Sequence, residues 1–227
     1  MKNRNNRAEV AATALAALGT LLLTVCLALS AFNHLATDGE VYYRLQLDEG
    51  VEPGISDDEM HDLDILLADY LAGDARALDD SVFNQRERAH MVDVYDIFSA
   101  LRRTSYICLV SGCLLFAAAM MPSGRRPRRA RRGAAIGAAL FFLPIAAIAL
   151  WAALDFSSAF TAMHHALFTN DLWLLDPRTD IMIRMLPEGF FMALARRLIL
   201  GTAIAAACGP ALCAIAGAAM TRLTGDS

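Results

Sequence analysis

Apolar residues gather in four long, nearly uncharged runs, separated by strongly polar stretches of very different length. The runs cover about 8–32, 104–121, 133–154 and 198–220, with Glu9 the one charge near the start of the first. A hydrocarbon core of about 30 Å is crossed by about 20 apolar residues in a helix. Lipid offers no partner to an unpaired amide, so each run predicts a membrane-spanning helix. The first run follows a basic start (Lys2, Arg4, Arg7), as in a signal peptide. Its apolar part exceeds the roughly 7–15 residues of a cleaved signal, so an uncleaved span is expected.

The polar stretches carry their own periodicity. Ser56-Asp57-Asp58-Glu59 reads as a capping box, with Ser56 as N-cap. Leu63, Leu66, Leu67, Tyr70 and Leu71 then fall at helical spacing, and Gly73 suits the C-terminal end. A second helix is expected to begin near Asn84, carry the stripe Met91, Val94, Tyr95, Phe98 and Leu101, and run unbroken into the second span. Residues 41–47 fit either a short strand or an extended link. Asp176-Pro177 reads as a helix start, N-cap then N1. Leu186-Pro187-Glu188 ends that helix and turns the chain into the fourth span. Residues 155–190 as a whole predict an interfacial or re-entrant element.

The expected architecture is an all-α integral membrane protein: four transmembrane helices with a small extracytoplasmic helical cap. The segments are a first span with its cytoplasmic start (1–33), the cap (34–103), the second span (104–122), an Arg-rich loop (123–132), the third span (133–154), an outer His/Trp loop (155–190), and the fourth span with its tail (191–227).

Composition agrees and adds orientation. The chain of 227 residues is 56% hydrophobic and 19% charged, against roughly 45–50% and 25% in soluble domains. A soluble globular enzyme, a disordered chain and a fibrous protein are thereby excluded. Net charge is only −4, but it is a sum of opposed parts. Lys2, Arg4, Arg7, Arg125, Arg126, Arg128, Arg129, Arg131, Arg132 and Arg222 fall on one side, with Glu9 and Asp226 as that side's acids. Basic loops stay in the cytoplasm, so both termini are expected inside. The Arg cluster reads as topology and anionic-lipid contact, not nucleic-acid binding. The cap holds 17 of the 24 acids. Cys26, Cys108, Cys113, Cys208 and Cys213 all lie in the apolar runs and are read as packing residues without a disulfide framework.

All five histidines, His34, His61, His90, His164 and His165, fall on the outer side. Glu87, His90 and Asp93 recur every third residue, which gathers them along one helix face. A solvated face with incidental acids is the plain alternative. For His34 and His61, a bystander role is expected. No Gly-x-Ser-x-Gly elbow, outward cysteine nucleophile, phosphate-cradling loop or HExxH is present. Glu87, His90 and His164 or His165 form only a loose zinc-ligand pattern, and no metal is expected. Without a nucleophile, such an enzyme relies on general acid–base catalysis, with the substrate supplying the attacking group.

Glu87-Arg88-Ala89-His90-Met91-Val92-Asp93-Val94 resembles an E-x-x-H-M-x-D-V signature. The stretch from His165 through Phe168, Asp171 and Trp173 to Asp176-Pro177 resembles an H-x-x-F-x-x-D-x-W-x-x-D-P signature. Leu186-Pro187-Glu188-Gly189-Phe190-Phe191 resembles an L-P-x-x-F-F continuation. These are signatures of the bacterial lipoprotein intramolecular transacylases, four-span membrane proteins. The resemblance implies transfer of the sn-2 acyl chain of a diacylglyceryl lipoprotein to the α-amine of its lipidated N-terminal cysteine, without a cofactor. It implies diacylated lipoproteins and membrane lipids as partners, and an active site outside the cytoplasmic membrane. It maps the functional histidines onto His90 and His165. Glu87, Asp93, His164, Asp171 and Trp173 are the expected supporting residues, with Glu87 or Asp93 orienting His90. Phe168, Arg102, Arg103, Arg196 and Arg197 are candidates for lipid or substrate contact. A metal-dependent membrane hydrolase and a non-catalytic receptor or assembly factor are the competing readings.

Overall fold

The computed structural model describes residues 2–121 and 126–224. Arg125 and Asp226 lie outside the described residues, as do the side chains of Lys2, Arg4 and Arg126. Among the described residues all regular structure is helical: α1 (Lys2–Ala36), α2 (Gly39–Asp48), α3 (Asp57–Ala72), α4 (Gln85–Met120), α5 (Arg126–Leu154), α6 (Phe156–Leu167), α7 (Ile181–Met185) and α8 (Glu188–Thr224). Four of them, α1, α4, α5 and α8, are long and apolar enough to cross a membrane. The chain is a multi-pass membrane protein. The 36 residues of α4 rise about 54 Å, well beyond a hydrocarbon core of about 30 Å. Its first 19 residues carry Arg86, Glu87, Arg88, Asp93, Asp96, Arg102 and Arg103, so only the part after Arg103 suits lipid.

The chain forms two compact units. One is drawn from Met1–Ala31, Arg103–Ala147 and Thr202–Ser227. Small residues let its helices approach closely, as membrane packing without a hydrophobic driving force requires. A Cβ on Gly19 of α1 would lie 2.7 Å from the Phe116 amide nitrogen of α4, and one on Gly137 of α5 would lie 2.8 Å from the Ala17 carbonyl oxygen. Ser105 and Ser30 hydrogen-bond at 2.8 Å in the same unit. Arg129, expected as a topology charge, is buried. Its guanidinium donates to the Ala119 carbonyl at 2.6 Å and pairs with Glu9 at 3.3 Å. A last-turn carbonyl of α4 thereby gains a cationic partner, which its unsatisfied end favours. Cys26, Cys108 and Cys213 are buried as free thiols; Cys113 and Cys208 are exposed.

The second unit comprises Phe32–Arg102 and Ile148–Gly201. Its core packs Met60, Leu63, Leu67 and Leu71 of α3 with Tyr42, Phe83, Met91, Met185 and Phe190. At α3, Ser56 Oγ accepts from the Glu59 amide at 3.2 Å, and Gly73 closes the helix with φ 94°. Residues 41–47 are neither strand nor extended link but the body of α2. Asp38 caps this helix, accepting from the Val41 amide at 3.3 Å. Val41, Tyr42 and Gln46 turn inward from it. Local alternation does not show this because α2 is stabilised by packing against α3.

Residues 155–190 hold two whole helices and the first residues of α8. Asp155 caps α6, accepting from the Ser158 amide at 3.0 Å. Asp176-Pro177 opens a single turn, not a helix: the Thr179 and Asp180 amides both return to the Asp176 carbonyl. The Asp176 carboxylate is held by the Arg178 amide and guanidinium. Helix α7 starts only after Asp180. Leu186 ends α7, and α8 begins at Glu188.

Candidate active site

The site lies within the second unit, where the start of α4 meets the loop joining α6 to α7. Asn84 begins α4 as its cap. Its side-chain oxygen accepts from the Arg86 and Glu87 amides at 2.8 and 3.1 Å. Glu87 returns the contact, accepting from the Asn84 amide at 2.8 Å. This is a reciprocal capping box. The other Glu87 oxygen accepts from the Met182 amide of α7 at 2.7 Å. Glu87 is 1% exposed, and both its oxygens serve backbone amides rather than His90.

Other bonds join the same two segments. The Asn84 amide group donates to Asp180 at 2.8 Å. The Arg86 guanidinium donates to the Asp171 carbonyl. Asn170 donates to Asp93 at 2.8 Å, while the Asp93 charge still acts on His90. Both signatures are thereby joined, with Glu87 serving backbone amides. Asn84 was legible as a helix start; its partner Asp180, and Asn170, carried no separable signal.

These ties bring two histidines together. His90 and His164 are each 8% exposed, and their ring centroids are 6.4 Å apart. Phe168 touches both, at 5.1 and 5.6 Å. His164 lies in the last turn of α6, stacks on Trp173 at 4.7 Å and 28°, and lies 4.2 Å from the Phe160 ring. Its Nδ1 is 2.8 Å from the Phe160 carbonyl oxygen. A carbonyl only accepts, so Nδ1 carries the proton and Nε2 carries a free lone pair. His90 Nδ1 is buried without a partner.

Burial disfavours the charged form of both rings. It pushes His90 down to about 4; His164 and Arg86 act the same way, and Asp93 opposes them. Burial also lowers His164, the Phe160 carbonyl opposing and His165 assisting. Both rings are therefore neutral near pH 7, as acceptors of a proton must be.

His165 is exposed. Its ring meets Trp173 edge-on at 5.2 Å. His61 pairs with Glu40 on the surface at 2.8 Å, and His34 is exposed. Arg102 donates to the Leu71 carbonyl at 2.7 Å and lies over Tyr95, where it caps the end of α3. Arg103, Arg196 and Arg197 are exposed, Arg196 donating back to Met192 at 3.3 Å. The Asp171 side chain is exposed; its carbonyl makes the contact with α4. Among the described residues no group of three or more His, Cys, Asp or Glu is placed to hold a metal ion. A cleft of about 320 Å³ borders the site, lined by Asp93, Asp96, Ile97, Ala100, Leu167, Phe168, Thr169 and Asn170.

The family model described as lipoprotein intramolecular transacylase Lit matches residues 11–191. No curated protein matches the chain. Among solved structures, the in meso structure of the membrane integral lipoprotein intramolecular transacylase Lit from Bacillus cereus is similar, with 21% identity, 100% of each chain covered and a TM-score of 0.67. A form of that protein with a histidine-to-arginine mutation gives 22% identity over 98% of this chain and 97% of that one, with a TM-score of 0.70. A histidine-to-alanine form gives 21%, 100% and 99%, with a TM-score of 0.72. At these identities the likeness is one of fold.

Proposed function

The chain belongs to the lipoprotein intramolecular transacylase Lit family, and from that premise we propose that it moves the sn-2 acyl chain of a diacylglyceryl lipoprotein to the α-amine of the lipidated N-terminal cysteine. The observation that carries the reading is the buried, neutral pair His90 and His164, set where the two signature segments meet.

The reaction is an ester-to-amide shift within one substrate. The substrate's own amine attacks, so neither Ser nor Cys is needed. Amine and ester are already tethered, and the site contributes mainly orientation and proton transfer. His164 Nε2 removes a proton from the attacking nitrogen as the new bond forms, then returns it to the departing glycerol oxygen. His90 lies beside it and assists the transfer. His165, which the resemblance assigns, is exposed; the geometry favours its neighbour His164. Burial keeps both rings neutral and hence ready as bases. The product is an N-acylated lyso-form lipoprotein. Both termini are placed in the cytoplasm and the site at the outer leaflet, on the strength of the Arg-rich inner loop.

The test is expression in a host that makes diacylated lipoproteins, with mass spectrometry of N-terminal lipopeptides. The expected fragments keep their total mass but carry one acyl chain on nitrogen and one on glycerol. Unchanged fragments at good expression refute the proposal; loss of one acyl chain as free acid marks a hydrolase instead. His90→Ala and His164→Ala are expected to abolish transfer, and His165→Ala to retain most of it.

A further inference from the structure

The loop between α6 and α7 satisfies its own backbone closely. The Leu172 amide donates to the Asn170 side chain at 3.0 Å, Leu174 to the Asp171 carbonyl at 3.2 Å, and Leu175 to the Trp173 carbonyl at 3.0 Å. The Asp171 carbonyl also accepts from Arg86. Against this background Trp173 Nε1 is buried and has no hydrogen-bond partner. Buried polar groups are nearly always bonded. Indole is a donor only, so the missing partner is an acceptor.

The stack on His164 sets the plane of this donor. The indole and imidazole planes are 28° apart with centroids at 4.7 Å. An N–H lies in the plane of its ring, so it does not point into the face of its stacking partner. The donor therefore lies alongside the His164 ring, whose Nε2 lone pair is free, and is left for a third group.

We propose that Trp173 is a catalytic hydrogen-bond donor: its indole N–H binds the sn-2 ester carbonyl oxygen of the substrate and the oxyanion which that oxygen becomes. This assignment rests on the transacylase reading. The amine nitrogen attacks the carbonyl carbon, a C–N bond forms, and the C=O electron pair moves onto oxygen. Trp173 holds that oxyanion while His164 Nε2 takes a proton from the nitrogen. Collapse re-forms C=O and breaks the bond to the glycerol oxygen, which receives the proton from His164. Ester and amine become amide and hydroxyl, and His164 ends neutral. A donor fixed in place and out of water is strongest where charge develops. Because Nε1 is covered, the substrate oxygen reaches it only as a covering side chain turns aside.

The test replaces Trp173 with Phe, and separately with 3-benzothienylalanine, whose sulfur substitutes for the N–H within a ring system of the same shape. Acyl transfer is followed on a synthetic diacylglyceryl lipopeptide by mass spectrometry. Binding of its sn-2 phosphonate analogue, which presents a tetrahedral oxyanion, is compared with that of its sn-2 ether analogue. For both variants kcat is expected to fall about a hundredfold or more, with KM within about twofold. Phosphonate affinity falls with it, and ether affinity holds. A benzothienylalanine enzyme with near wild-type kcat overturns the assignment, as does equal loss of phosphonate and ether binding, which marks a structural role. A wild-type enzyme that transfers nothing overturns the functional reading beneath it, so the two failures are distinguishable.

Discussion

Replacing Glu87 with Gln tests the clamp that joins the two signature segments. The wild-type carboxylate accepts from two backbone amides, Asn84 at 2.8 Å and Met182 at 2.7 Å, and is 1% exposed. Hydrogen bonds to a charged group contribute about 1.5–3 kcal/mol each. Gln keeps one acceptor and turns an NH2 toward the other amide. One bond is lost and two donors face each other, so the expected cost is about 2–3 kcal/mol. The loss falls on local opening of α7 away from α4, since Met182 lies at the start of that short helix. Trypsin reads this opening. Arg178 and Arg184 flank the contact and are exposed, but cleavage requires the segment to leave its seat. When opening is fast relative to cleavage, about 2 kcal/mol becomes roughly a thirtyfold faster cut after these arginines. Cleavage sites are assigned by mass spectrometry in detergent at equal protein and protease. A rate within twofold of wild type would refute the clamp.

Two further outcomes follow from buried titratable groups. Asp64 is buried, accepts from Gln46 at 3.0 Å and is pushed up to about 7, chiefly by burial, with Gln46 and His61 opposing. The folded state therefore binds more protons between about pH 4 and 7, and stability falls as pH rises through that window, by as much as about 4 kcal/mol. Asp64→Asn is expected to flatten this slope in denaturant titrations across pH 4–8; an unchanged slope would sink the assignment. His90 has the opposite sign: its lowered value favours the folded state as pH rises from 4 toward 6.5. Exchange of its ring C2 hydrogen, followed by mass spectrometry, is expected to titrate near 4, and a midpoint at 6.5 or above would contradict its burial.

Much of the architecture was legible in the chain. The four spans follow from hydropathy and length, and Ser56 and Gly73 mark the ends of α3 because caps are local hydrogen-bonding events. Asn84 was legible as a start for the same reason. Helix α2 was not: residues 41–47 alternate ambiguously, and burial against α3 decides their state. Asp176-Pro177 carries a helix-start pattern and makes the cap bond to the Arg178 amide, yet the turn stops at Asp180, whose carboxylate is tied to the Asp176 amide and to Asn84.

The candidate site divides the same way. Sequence alone singled out the two segments, since residue types and spacings are properties of one short stretch. It also placed every histidine on one side of the membrane reading. Only the tertiary structure decided the partners. Adjacent residues on a helix point about 100° apart, so His164 and His165 cannot share one environment. Packing against Phe160, Phe168 and Trp173 buries the first and leaves the second exposed. Glu87 likewise bonds Met182, which lies 95 residues away. Such choices depend on closing long loops, and no local pattern encodes which side chain meets another once they are closed.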